Sequence, residues 1–150
     1  MIWERFWPFI LGAAVGLGFA IAGAPLPPDS AYASMMAASA GVSAILVGFL
    51  SAAKAILLTI SGSKALRALR QSGYADDLFK YIKSSIEWAI AFSVLCIIMM
   101  YVDAQHAYNI TVWKVQISHP FMIVWAACGA VTIFTFYRVS RIIFKILRQS

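Results

Sequence analysis

Few side chains in this chain carry reactive chemistry. Cys96 and Cys128 each fall in the middle of a long apolar run. No cation lies nearby in sequence to hold a thiolate, so both read as small apolar residues. Asp103, His106 and His119 would be the only group able to gather a metal ion, and their spacing fits no standard ligand set. No phosphate-binding loop, nucleophile elbow or HExxH helix occurs. The expectation is a protein that is not an enzyme, with no cofactor and no metal. Lys54 and Glu87 are different, because each is a charge set inside an apolar stretch at similar expected depth. A charge there is costly unless it is paired or reaches water, so the two are expected to form an intramembrane ion pair.

The surroundings of these residues follow from composition. Of 150 residues, 62% are apolar and 12% are charged, and the mean hydropathy is +0.82. A soluble domain averages about 45–50% apolar and about 25% charged residues. A chain this short has too much surface for its volume to hide that excess from water. A soluble enzyme and a disordered tail are both excluded, and lipid is the expected solvent for much of the chain.

Four apolar runs are long enough to matter, at about 8–24, 33–60, 85–102 and 119–143. None alternates in polarity as barrel strands do, so each reads as a helix. The fold class expected is all-α, a single integral-membrane four-helix bundle over 1–150. The run from Ala33 to Ile60 is 28 positions. At 1.5 Å per residue that is about 42 Å, more than the roughly 30 Å of hydrocarbon, so it tilts or leaves the membrane at its end.

Charge sets the orientation. Of 12 basic residues, nine lie in two places. Lys64, Arg67, Arg70, Lys80 and Lys83 lie between the second and third runs, and Arg138, Arg141, Lys145 and Arg148 lie in the tail. Four spans put both places on one side, and basic loops stay in the cytoplasm, so both termini are expected inside. The charge of +6 is therefore a topology signal. Anionic head groups are its expected partner, and no nucleic acid is expected. Residues 64–70 favour a helix, Gly73 suits its end, and Asp76 or Asp77 suits the cap of the next. This basic helical elbow is a candidate dock for a cytoplasmic protein. The tail residues fall at i, i+3, i+7 and i+10, which makes a basic stripe for lipid phosphates. A secretory-signal reading competes at the start, with Ala31-Tyr32-Ala33 as a cleavage site. The segment before it is barely basic, with Arg5 beside Glu4, so the first helix is expected to stay.

Small residues recur on the first two helices. Gly12, Gly16 and Ala20 come every fourth position, and so do Ala40, Ala44, Gly48 and Ala52. Such stripes let helices approach closely, either within the chain or between copies in a homo-oligomer. Ser39, Ser43, Ser51 and Thr59 are the polar candidates for a pore lining on the second helix.

The layout resembles a known family. A long small-residue second span is followed by Ser61-Gly62-Ser63-Lys64, Leu66-Arg67 and Gly73-Tyr74, then by a third span with Glu87 near its start. Over Ala31 to roughly Met100 this is similar to RexB, the four-span phage-exclusion membrane proteins of lambdoid prophages. In size and layout the chain also resembles KwaA, the four-span membrane subunits of the Kiwa antiphage system. The resemblance implies a multi-pass protein of the bacterial inner membrane, acting in antiviral defence with a cytoplasmic partner, as a sensor or as an ion channel that depolarises the membrane. It brings no catalytic residues and does not cover the first span or the tail. A pilin-like or secretion-apparatus subunit, or a small transporter, is the alternative.

Overall fold

The computed structural model describes residues 2–22, 28–59, 74–101, 110–112, 115–117 and 120–149, with side chains at 6–22, 28, 31–59, 77–101 and 120–144. Four helices carry the fold: α1 (Ile2–Ile21), α2 (Asp29–Thr59), α3 (Tyr74–Tyr101) and α4 (Pro120–Gln149). A short antiparallel hairpin precedes α4, with β1 (Ile110–Val112) against β2 (Val115–Ile117) and Ile110 opposite Ile117. This stretch falls between the third and fourth apolar runs, where no strand is expected. Its β-branched residues on either side of Trp113 and Lys114 are the signal that could have found it.

Three helices are long and apolar enough to cross a membrane: Ala31–Thr59 of α2, Asp77–Tyr101 of α3 and Pro120–Phe144 of α4. The apolar part of α1, Phe6–Ile21, is shorter. The helices also overrun the expected boundaries. α3 starts at Tyr74 and α4 runs on to Gln149. Asp76 and Asp77 therefore lie in the first turn of α3, where acidic groups suit the helix dipole, and not at its cap. The basic segment Lys64, Arg67 and Arg70 lies outside the described residues.

A seven-residue repeat aligns the bundle. On α3, Leu78, Ile82, Ser85, Ala89, Phe92, Cys96 and Met99 are all buried. Their spacing alternates four and three, the 3.5-residue period of left-handed helix packing. On α2 the buried positions Met36, Ser43 and Leu50 are seven apart. The main pairings are α2 with α3, α3 with α4, and α4 with α1. Every pairing is antiparallel. Ser43 lies against Ala89, Trp88 against Thr132, and Gly12 and Gly16 against Val131 and Ala127. The start of α1, the end of α2, the start of α3 and the end of α4 thus share one end of the bundle.

Two clusters fill the interior, one toward each end. Leu50, Leu78, Ile82 and Val139 form the first, at the end where α2 finishes and α3 starts. Tyr32, Met36, Met99 and Met122 form the second, with Phe19, Met35, Leu95 and Trp125 against them. Ring pairs tie the helices further: Trp7 with Phe134 at 5.7 Å, Phe9 with Trp88 at 5.5 Å, and Phe49 with Phe136 at 5.7 Å.

Candidate functional site

The two small-residue helices end up in opposite situations. Gly12 and Gly16 face α4 at contact distance. A Cβ on Gly12 would overlap Val131 Cγ2 and sit 3.2 Å from the Ala127 carbonyl oxygen. A Cβ on Gly16 would meet the Ala127 methyl at 3.0 Å. These glycines are needed because two backbones approach each other there. Ala20, at the end of this stripe, is half-buried. The α1 stripe is therefore closed by the chain's own α4.

On α2 the small residues point away from the bundle. Ala44, Gly48 and Ala52 are exposed, while Ala40 is half-buried. A side chain added at Gly41 or Gly48 would meet nothing within 4 Å. The exposed face opposite the Met36–Ser43–Leu50 seam reads Ser34, Ala38, Gly41, Ile45, Gly48, Ala52, Ala55 and Thr59. That is again four-three spacing, rotated slightly from the every-fourth-residue stripe read in sequence. Only 11% of the apolar window of α2 is buried, against 33% for α3 and 28% for α4, so α2 is the least covered of the three. Large groups are exposed on every helix: Ile10, Leu11 and Leu17 on α1, Val42, Ile45, Phe49 and Ile56 on α2, Ile90, Val94 and Ile97 on α3, Val124 and Ile133 on α4.

A run of hydroxyls lines the inside of the bundle. Ser43 Oγ donates to the Ala89 carbonyl across α2 and α3. Thr132 Oγ1 donates to the Cys128 carbonyl at 2.9 Å and reaches the Trp88 carbonyl at 3.4 Å. Thr135 Oγ1 donates to the Thr132 carbonyl at 3.0 Å. Ser39 and Thr59 bond back to their own helix, at Met35 and Ala55. Of the four pore-lining candidates, Ser43 is thus committed to α3 and Ser51 alone is exposed without such a bond among the described residues.

The charged candidates separate in the same way. Glu87 Oε1 lies 3.7 Å from Lys83 Nζ, one turn away on the same exposed surface. The expected partnership of Glu87 with Lys54 does not form. The register explains this, because Ser43 opposite Ala89 and Leu50 beside Ile82 bring Lys54 level with residues near 78. Lys54 and Glu87 are then about nine residues apart along the axis, or roughly 13 Å. Lys80 is held by Asp77 at 3.6 Å. Both pairs are exposed and add at most about 1 kcal/mol.

Arg138 departs from its expected place on a lipid-facing stripe. It is 7% exposed, and its guanidinium carbon sits 4.2 Å from the centre of the Tyr81 ring. Arg141, one turn on, is exposed. The stripe is split because α4 leans on α3 here, with Val139 in the core beside Leu78 and Ile82. The Tyr81 face gives the buried cation a favourable contact. The Lys145 and Arg148 side chains lie outside the described residues. So do Asp103, His106 and His119 as side chains; among the described residues no group of three His, Cys, Asp or Glu could hold a metal. The chain matches no protein-family model, no curated protein and no solved structure.

Proposed function

We propose that this chain is a four-span protein of the bacterial inner membrane that assembles into a homo-oligomer through the open face of α2. In this reading the basic end, with Lys80, Lys83 and Arg141, lies in the cytoplasm against anionic head groups, and the elbow at Lys64, Arg67 and Arg70 meets a cytoplasmic protein. The observation that carries it is the contrast between outward faces. Lipid tails are well covered by large aliphatic side chains, as on α1, α3 and α4. α2 exposes large groups too, at Val42, Ile45, Phe49, Ile56 and Leu58, but the strip through Ala38, Gly41, Gly48, Ala52 and Ala55 is interrupted only by Ile45 and leaves room for a second helix backbone at close range. Copies inserted in the same sense would pair parallel through Ala38, Gly41, Gly48, Ala52 and Ala55.

The biological role proposed is phage exclusion, as a membrane sensor or an ion-conducting effector, and its support is the resemblance of the segment 31–100. Of the hydroxyls on α2, Ser51 alone is exposed without a bond to a carbonyl among the described residues, so a conducting path would run between copies, beside it. The test is plating of phage on cells expressing the chain, with membrane potential followed by a voltage-sensitive dye. Protection with depolarisation, both lost in Gly41→Leu/Gly48→Leu, is the expected result. Unchanged plating and potential with the wild-type chain would overturn the role. Undiminished protection by a strictly monomeric double variant would overturn the assembly.

A further inference from the structure

We propose that the sulfur-rich cluster at the end of the bundle away from the basic residues is a binding site for a soft monovalent cation, Cu(I), built from the thioethers of Met36, Met99 and Met122 and the thiol of Cys96.

The chain has six methionines and two cysteines. Apart from Met1, all of this sulfur falls on one half of the bundle. Met36 on α2, Met99 on α3 and Met122 on α4 converge in one buried cluster, at 0%, 1% and 4% exposure. Met35 packs against it. Cys96 is fully buried, one turn from Met99 on the same face of α3, and the α2–α3 register brings it level with Met36. Three helices thus bring three thioethers into one cluster, with the Cys96 thiol buried one turn from Met99. The cluster at the other end is made by α2, α3 and α4 too, and it is built from Leu50, Leu78, Ile82 and Val139 with no sulfur. Methionine serves elsewhere as adaptable filler. Filler alone gives no reason for one core cluster to hold three methionines and the other none.

The chemistry of this donor set is selective. Thioether and thiolate are soft ligands that favour Cu(I), while Zn(II), Mg(II) and Ca(II) prefer sets that include nitrogen, oxygen or several thiolates. Charge also balances. A bare cation in this apolar surrounding would be costly. Binding releases the Cys96 proton to solvent, and the resulting thiolate cancels the single positive charge of Cu(I). No electron is transferred, because the ion enters and stays as Cu(I). Trp125 completes the surround. Its indole packs against the cluster, and its N–H is buried and approaches the Cys96 sulfur without a hydrogen bond to satisfy it. A thiolate at Cys96 is a better acceptor for that donor than a thiol, and the indole face attracts cations. The site does not depend on how copies of the chain assemble.

The test uses the full chain in detergent micelles, under argon with a phosphine reductant. Cu(I) held by the coloured chelator bicinchoninate is offered to the protein, and its withdrawal is read optically. The expected result is one Cu(I) per chain, with sulfur as the only neighbour type in X-ray absorption. Met36→Leu should weaken binding at least about 10-fold, in line with the losses seen on disturbing metal-site partners. Met36→Leu/Met99→Leu/Met122→Leu and Cys96→Ser should abolish it, and His106→Ala/His119→Ala should leave it unchanged. Leu replaces Met at nearly constant volume, so helicity and thermal unfolding should persist and confirm that the variants are folded. The single Met36→Leu variant keeps the test decisive if the triple variant does not fold. No withdrawal by the wild-type chain, retention by a folded triple variant, full strength in Met36→Leu, or loss in the histidine variant would each overturn the site.

Discussion

α1 and α2 carry the same kind of small-residue repeat and meet different fates. On α1, Gly12 and Gly16 are spent inside the molecule, where α4 comes so near that a single added carbon collides. On α2, Gly41 and Gly48 face open space. Spacing on one helix therefore says that close approach is possible, but not with whom. The partner is set by what the rest of the chain places opposite. α4 offers α1 its own small residues, Ala127 among them. α2 already satisfies α3 with its other face, through Met36, Ser43 and Leu50. Its second face is then surplus to the fold of one chain.

The largest effect that could break this contrast is a bulky residue on each stripe. Gly12→Leu should push α1 off α4 and cost about 1–3 kcal/mol or more, read as a drop in the unfolding temperature in micelles. Gly48→Leu should leave that temperature within error and instead shift the sedimentation profile toward monomer. Equal thermal losses for the two would erase the distinction between a closed and an open face.

The basic end gives a smaller, sharper check on the closed side. Tyr81→Leu removes the ring beneath Arg138 and should cost about 0.5–2 kcal/mol, while Tyr81→Phe keeps the ring and most of the stability. Chemical denaturation in mixed micelles separates the two. Next come the two faces of α2 itself. Ser43→Ala loses a buried bond to the Ala89 carbonyl and should cost about 1 kcal/mol. Ser51→Ala, on the open face, should change monomer stability by a few tenths at most. The smallest effect concerns charge. A double-mutant cycle on Lys54→Gln and Glu87→Gln should give a coupling near zero, since Glu87 is held by Lys83 at 3.7 Å. A coupling above about 1 kcal/mol would mean that the two helices slide into another register.

The helices were legible because apolar length and period are written locally. Their apolar stretches at 33–53, 88–102 and 119–137 needed only a count of residues without charge. The direction in which each helix turns its faces was not legible. Arg138 belongs to a regular basic stripe by spacing, yet it is buried over Tyr81 because α4 rolls toward α3. Nothing within residues 138–148 carries that information. The Lys54–Glu87 partnership failed for the same reason, since depth was inferred from position in each run, whereas register is set by contacts such as Ser43 with Ala89. The methionine cluster was missed because its members lie on three helices, and their segregation shows only when the helices are assembled. The hairpin at Ile110–Ile117 was missed because its strands are three residues each, too short for period to speak.

The proposed function requires the four helices to lie in lipid with both termini and the elbow on the cytoplasmic side. Reporter fusions that are active on only one side of the membrane, joined after Ser72, after His106 and at Ser150, test it directly. The account predicts cytoplasmic activity at Ser72 and Ser150 and external activity at His106. Opposite sides for Ser72 and Ser150 would contradict it.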